Sequence, residues 1–140
     1  MRKVLYLFVA LAVVVTLACG GGGGGGGIST DTTPPTISGL GVSPILLTNT
    51  ATAQITSTVV DLDSGVATVQ AVLTYPDNRQ ANVSLARVDT TNTYQATFTA
   101  QWNGTAGDLR VQLRAVDRAG NQATQETQVR LAGNPPPPPF

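Results

Sequence analysis

Residues 108–121, which read Asp-Leu-Arg-Val-Gln-Leu-Arg-Ala-Val-Asp-Arg-Ala-Gly-Asn, decide the fold of this 140-residue chain. Apolar and polar side chains alternate over residues 108–116, which predicts a strand with one buried face. Glycine and asparagine in residues 118–121 are typical of a tight turn. The chain therefore reverses into a second predicted strand over residues 122–131. The inward positions of this pair are Leu109, Val111, Leu113, Ala115, Thr127, Val129 and Leu131.

The same period of two recurs upstream, between further turn signals. It predicts strands over residues 36–43, 51–60, 66–75, 80–87 and 93–100. The first of these contains two glycines and is closed by Pro44, which favours the edge of a sheet. The predicted inward positions are Ala53, Ile55, Val59, Ala67, Val69, Ala71, Leu73, Tyr75, Val83, Leu85, Tyr94, Ala96 and Phe98. With no helical periodicity, seven short strands predict an all-β, two-sheet sandwich over residues 36–132.

The N-terminus has the pattern of a secretory signal peptide over residues 1–18. A basic start at Arg2 and Lys3 precedes an apolar run and the small residue Ala18. A transmembrane helix is the alternative. It needs about 20 apolar residues, but residues 4–18 number only 15 and are followed by Cys19 and then eight glycines.

Thr16-Leu17-Ala18-Cys19 resembles the lipobox of bacterial lipoproteins. The resemblance implies cleavage after Ala18 and acylation of Cys19, which anchors the protein in a membrane because two or three acyl chains hold it stably. It also implies export to the cell envelope: the outer membrane in a Gram-negative cell, or the outer face of the plasma membrane in a Gram-positive one. An ordinary secreted protein with a leftover thiol is the alternative.

The residues between Cys19 and the sandwich are predicted to form a flexible tether. Residues 19–35 contain the polyglycine run and end in Pro34-Pro35. Polyglycine buries no apolar surface and loses much entropy on ordering. At the other end, residues 133–140 form a proline-rich tail, which is predicted to be a stiff polyproline terminus or a ligand for an aromatic groove.

The sandwich resembles the bacterial Ig-like and fibronectin type III-like extracellular modules. The residues that carry the resemblance are Asp31-Thr32-Thr33-Pro34-Pro35, Asp61-Leu62-Asp63-Ser64-Gly65-Val66, Tyr94-Gln95-Ala96 and residues 111–121. It implies a seven-stranded Ig-like or fibronectin III-like β-sandwich. The chain has one cysteine, so it has no intersheet disulfide, and Leu109 stands where such domains often carry a corner tyrosine.

Acidic turn residues give one candidate metal site. In this topology the chain entrance and two loops share one end of the sandwich, which gathers five oxygen-bearing side chains: Asp31, Asp61, Asp63, Asp117 and Asn121. Carboxylate and amide oxygens are ligands that calcium prefers. The alternative is that these residues cap turns, as Asp and Asn ordinarily do, in which case the protein has no cofactor.

Trp102 is a candidate ligand-binding residue. If exposed on its loop it could stack on a sugar or contact a protein partner. Alternatively, the ring folds back over the end of the core, which large aromatic residues do in small domains.

Composition excludes several classes of function. With no histidine and one cysteine, the chain has no Ser-His-Asp or Cys-His catalytic group, no histidine metal ligand and no cysteine-based zinc site. Its eight basic residues equal its eight acidic ones, so it lacks a nucleic-acid footprint. Asp61 and Asp63 are a carboxylate pair, but so small a domain is not expected to form a catalytic cleft.

These observations predict a non-enzymatic, lipid-anchored envelope protein that displays an Ig-like module in a structural or spacer role. The alternative is an adhesion or recognition module that binds a glycan or an envelope protein. A single-repeat relic of a longer array is a third interpretation.

Overall fold

The computed structural model describes residues 30–48, 50–102 and 106–133. The predicted signal peptide, Cys19, most of the tether and nearly all of the proline-rich tail lie outside these residues. The described chain contains no helix. Its strands are β1 (Thr36–Ser43), β2 (Leu46–Leu47), β3 (Thr52–Val60), β4 (Val66–Thr74), β5 (Gln80–Ser84), β6 (Ala86–Arg87), β7 (Thr93–Thr99), β8 (Gly107–Asp117) and β9 (Gln122–Leu131).

The strands form two sheets that face each other. The first sheet has the order β1-β3-β7-β6 and the second has the order β2-β9-β8-β4-β5. The β8–β9 hairpin is continuous from the Gly107–Leu131 pair to the Val116–Gln122 pair. As predicted, the glycine-containing β1 lies at a sheet edge. The all-β, two-sheet prediction is therefore confirmed.

The predicted count of seven strands was wrong, because two segments change sheets. Pro44 has no N–H to continue the ladder of β1, and the chain crosses to the second sheet, where β2 pairs in parallel with the end of β9. The predicted strand 80–87 also divides. Its first part, β5, pairs with β4, whereas its last part, β6, pairs with β7 in the opposite sheet. Leu85 is buried at the crossing.

The core lies between the sheets and consists mainly of the predicted inward residues. Leu109, Val111, Leu113, Ala115 and Leu131 are fully buried, and Val129 is nearly so. One inward prediction was wrong, since Ala67 is exposed. The register between β4 and β8 shifts between Val66 and Thr68, so the alternation of β4 restarts beyond Ala67.

Candidate functional site

The chain entrance and two loops meet at one end of the sandwich, here called the acidic pole (Asp31, Asp61–Gly65 and Asp117–Asn121). The Asn121 Nδ2 donates a hydrogen bond of 3.0 Å to the backbone oxygen of Asp31. The backbone N–H of Arg118 donates to the Gly65 oxygen, also at 3.0 Å. These two bonds join the three segments.

Asp117 organises the turn between β8 and β9. It is only 2% exposed. Its Oδ1 accepts a bond of 2.8 Å from the backbone N–H of Asn121, and its Oδ2 accepts one of 2.8 Å from the Asn121 side chain. Gly120 completes the turn with a φ of 96°, a conformation that glycine adopts without strain. Both oxygens of this buried carboxylate thus have hydrogen-bond donors, as burial requires.

Asp61 caps the loop between β3 and β4 in a similar way. Its Oδ1 accepts bonds from the backbone N–H groups of Ser64, at 2.9 Å, and of Gly65, at 2.6 Å. Gly65 has a φ of 83°, which brings its N–H toward the carboxylate. This is the side-chain-to-backbone pattern by which aspartate specifies turns.

Asp31 fixes the point where the tether reaches the sandwich. Its Oδ1 accepts a bond of 2.8 Å from the Thr33 N–H. That bond, followed by one from Ser64, holds the pKa of Asp31 below its ordinary value of 3.8, because both favour the charged form.

Three of the five predicted calcium ligands come together. Carboxylate oxygens of Asp31, Asp61 and Asp117 lie within 4.8 Å of one another. Asp63, two residues beyond the capping Asp61, is exposed and does not belong to this group. Asn121 directs its amide nitrogen, not its oxygen, toward Asp31 and Asp117. The three carboxylates have the chemistry to hold a hard cation, but the bonds shown above use them as turn caps.

Trp102 lies at the opposite end of the sandwich, here called the tryptophan pole (Tyr75–Arg79, Trp102 and Gly107). The tryptophan is 6% exposed and packs into the core. Its ring therefore offers no open face for stacking on a sugar, and it covers the end of the core as the second interpretation expects. Its Nε1 has no hydrogen-bond acceptor among the described residues.

A groove that the sequence did not predict opens between the sheets beside the acidic pole. Two adjoining parts, of about 220 and 430 Å³, share four lining residues: Val66, Arg87, Tyr94 and Arg118. The groove is open here because β6, which follows β5 in the chain, pairs with β7 in the first sheet instead of continuing beside β4. The signal in the sequence was weak: Leu85 is apolar and Arg87, two positions on, is charged, which breaks the alternation.

No family model and no curated protein matches the chain. Among solved structures, it is similar to an alkylpurine DNA glycosylase of Pseudomonas fluorescens bound to DNA containing an abasic site analogue, with a TM-score of 0.53 and 12% identity over 71% of this chain. It is also similar to a DUF4785 family protein of Legionella pneumophila, with a TM-score of 0.53 and 11% identity over 73% of this chain. The chain spans 30% of the length of each. At such identity the likeness concerns the fold alone.

The described parts of the chain contain no helix with the length and apolar character needed to cross a membrane. The predicted lipidation site, Cys19, lies outside the described residues.

Proposed function

We propose that this protein is a non-enzymatic lipoprotein of the bacterial cell envelope that displays a single Ig-like module. The support for the anchor is the Thr16-Leu17-Ala18-Cys19 motif after a basic and apolar leader. Cleavage after Ala18 would remove Arg2 and Lys3, so the mature chain would carry six arginines against eight acidic residues. Its mild negative charge gives no support for binding DNA, which is a property of the glycosylase structure only.

The observation that carries the display role is that the chain enters and leaves the sandwich at opposite poles. The chain enters the sandwich at the acidic pole, where Asn121 binds the backbone of Asp31. It leaves at the other pole, where the Ala132 N–H donates to the Leu47 oxygen at 2.8 Å. The 11 residues of β8 span about 35 Å between the poles. A tether attached at one pole would therefore project the other pole away from the lipid.

The strand order supports the Ig-like part of the proposal. Ig domains place strands A, B, E and D in one sheet and C, F and G in the other. The first sheet here, β1-β3-β7-β6, follows the A-B-E-D order, and β9-β8-β4 follows G-F-C. The parallel pairing of β2 with β9 extends the second sheet at its G-like edge.

The chemistry of the acidic pole supports a role without catalysis or a cofactor. Asp61 and both oxygens of Asp117 accept hydrogen bonds from their own turns. Carboxylates engaged in this way hold loops together. The chain has no histidine to act as a base beside them.

Metabolic labelling tests the anchor. Cells that express the full chain are grown with labelled palmitate, and the protein is then recovered from the membrane fraction. We expect label on the protein, and we expect the variant Cys19→Ser to lose both the label and the membrane association.

A relocated cysteine is the matched control. The double variant Cys19→Ser, Ser29→Cys restores one thiol within the tether but not at the cleavage site, so it should stay unlabelled. Label on Cys19→Ser, or release of the unaltered protein from membranes by salt alone, would overturn the proposed anchor.

A further inference from the structure

The groove between the sheets follows one unpaired stretch of backbone. β5 pairs with Gln70–Thr74 of β4 and then leaves for the other sheet. The last contact before it leaves is the Leu85 N–H, which donates to the Val69 oxygen at 2.9 Å. Beyond that bond, residues 66–68 have no described strand on this side. The edge of β4 is thus open where the groove passes it.

The groove has the shape needed to hold a chain along this edge. Val66–Gln70 form one wall, and Leu85 and Tyr94 are buried residues of its floor. Arg87 lies on the β6 side and Arg118 lies at the end near the acidic pole. An extended segment placed beside β4 could pair with its free backbone groups as β5 does further along.

The two arginines of the groove differ from three of the other four that the structure describes. Arg79, Arg110 and Arg130 each form an ion pair, with Asp77, Glu126 and Asp108. Arg114 binds the side chain of Gln122.

Neither groove arginine has a carboxylate partner among the described residues. Arg87 donates to the backbone oxygens of Thr90 and Thr91 and to Asn92, which are all neutral. Arg118 has no described side-chain hydrogen bond, and its Nη1 would lie 3.9 Å from a Cβ added to Gly65. Two arginines that form no ion pair among the described residues thus meet at one groove, which Asp61 also lines at its end near the acidic pole.

We propose that this groove binds an extended acidic segment of a partner protein, which adds as a strand to the free edge of β4 and places a carboxylate side chain near Arg87 and Arg118. Strand addition derives affinity from main-chain hydrogen bonds and specificity from alternate side chains. Charge complementarity selects an acidic strand, since arginine binds carboxylates in a bidentate geometry. This binding role goes beyond display and does not depend on the lipid.

A peptide strand fits the groove better than a lipid headgroup or an acidic glycan. A lipid headgroup carries no backbone amide groups and would leave the open edge of β4 unpaired. A glycan would leave the backbone groups of β4 unpaired, whereas a peptide strand carries donors and acceptors at the spacing that these groups require.

NMR titration of the full ¹⁵N-labelled chain in detergent, at low salt, tests the proposal. The probe is the capped hexapeptide acetyl-Thr-Glu-Thr-Glu-Thr-Glu-amide. We expect shifts of the Ala67 and Thr68 amides and of the Arg118 side chain, and an affinity that falls as salt is added.

Peptide and protein variants separate charge from strand pairing. The Gln-for-Glu peptide should bind at least about fivefold more weakly, and Arg118→Gln should weaken the acidic peptide about fivefold, as loss of an exposed ion pair implies. Arg114→Gln is the matched control: it removes the same charge from β8, four residues before Arg118 and outside the groove, and should bind normally. A peptide with proline in the central positions cannot pair with β4 and should not bind.

Several outcomes would overturn the proposal. Binding that Arg118→Gln and Arg114→Gln weaken equally would show a general charge effect. Equal binding of the proline peptide would exclude strand addition. Tighter binding of an oligogalacturonate, or of vesicles containing phosphatidylglycerol, with the same residues shifted would assign the groove to a glycan or to lipid. Each of these results leaves the palmitate test of the anchor unaffected.

Discussion

The two poles of the sandwich close the same core by different means. At the acidic pole, the segments at Asp31, Asp61 and Asp117 are joined by hydrogen bonds between short polar side chains and backbone groups. At the tryptophan pole, Trp102 and Tyr75 are buried, and the Arg79 guanidinium lies 5.2 Å from the centre of the Tyr75 ring. One pole depends on directional polar bonds and the other mainly on apolar burial.

This difference predicts that substitutions at the two poles change the free energy of unfolding by different amounts. Removal of a buried aromatic side chain leaves a cavity that the fold cannot fill, whereas water can replace part of a lost surface hydrogen bond. Substitutions at the tryptophan pole should therefore have the larger effects on the free energy of unfolding, and those at the acidic pole the smaller effects.

Trp102→Ala should produce the largest loss, about 3–5 kcal/mol, because it empties the space that the indole fills. Urea denaturation of the full chain, followed by far-ultraviolet circular dichroism, measures it. Trp102→Phe keeps an aromatic ring and should lose less. A loss below about 1 kcal/mol in Trp102→Ala would contradict the closing role of the ring.

Gly107→Ala should destabilise the same pole by about 1–3 kcal/mol through overpacking. A Cβ on Gly107 would lie 2.6 Å from Cγ and 2.9 Å from Cβ of Pro76, within a rigid ring. In a double-mutant cycle, Pro76→Gly should relieve much of this loss. Additive effects of the two substitutions would show that the two residues do not collide.

Asn121→Ala should cost about 1–3 kcal/mol at the acidic pole, because it removes the bonds to the Asp31 backbone and to the buried Asp117 carboxylate. The same denaturation experiment measures it. Thr124→Ala, an exposed change on the following strand, is the control and should stay within about 0.5 kcal/mol of the unaltered protein. Equal effects of the two changes would exclude Asn121 as a link between segments.

Acidification should destabilise the protein through one carboxylate at each pole. The Thr33 N–H and Ser64 lower the pKa of Asp31, and the Arg79 side chain lowers the pKa of Asp77, both from 3.8. A lowered folded pKa gives stability that is present above the unfolded value and lost as pH falls through the folded value. The melting temperature should therefore decrease below pH 3.8.

Single and double variants locate this acid response. Asp31→Asn and Asp77→Asn should each flatten the decrease in melting temperature, and the double variant should show the sum because the poles are distant. An acid transition that neither variant changes would assign the response to other carboxylates.

Calcium should have the smallest effect. A site saturated at 100 times its Kd would add about 2.7 kcal/mol to stability, and each kcal/mol raises the melting temperature of a domain this size by about 4–8 °C. Because Asp61 and Asp117 already cap their turns, we expect the same melting temperature in millimolar CaCl₂ and in chelator. A rise in CaCl₂ that Asp61→Asn abolishes would instead establish a calcium site.

The sequence predicted most of the acidic pole and little of the groove. The convergence of Asp31, Asp61, Asp117 and Asn121 followed from turn residues at the ends of recognisable strands. The sequence could not reveal that Asn121 directs its amide nitrogen toward Asp31 and Asp117, or that Asp63 lies outside the group of three carboxylates, since both depend on loop geometry. The break in alternation at Arg87 was a weak signal and Arg118 gave none, because the two residues lie far apart in the chain and meet only where β6 pairs in the other sheet.

Alternation and turn chemistry by themselves determined that the chain forms an all-β sandwich, where six of its strands lie, and which residues form most of the core. Alternation records which face of a strand is buried, because successive side chains point to opposite faces. It does not record which neighbour the strand pairs with, because both sheets bury residues against the same core. Only the tertiary structure therefore decided that residues 43–47 and 80–87 cross between sheets. The crossing at residues 80–87 leaves the groove beside β4.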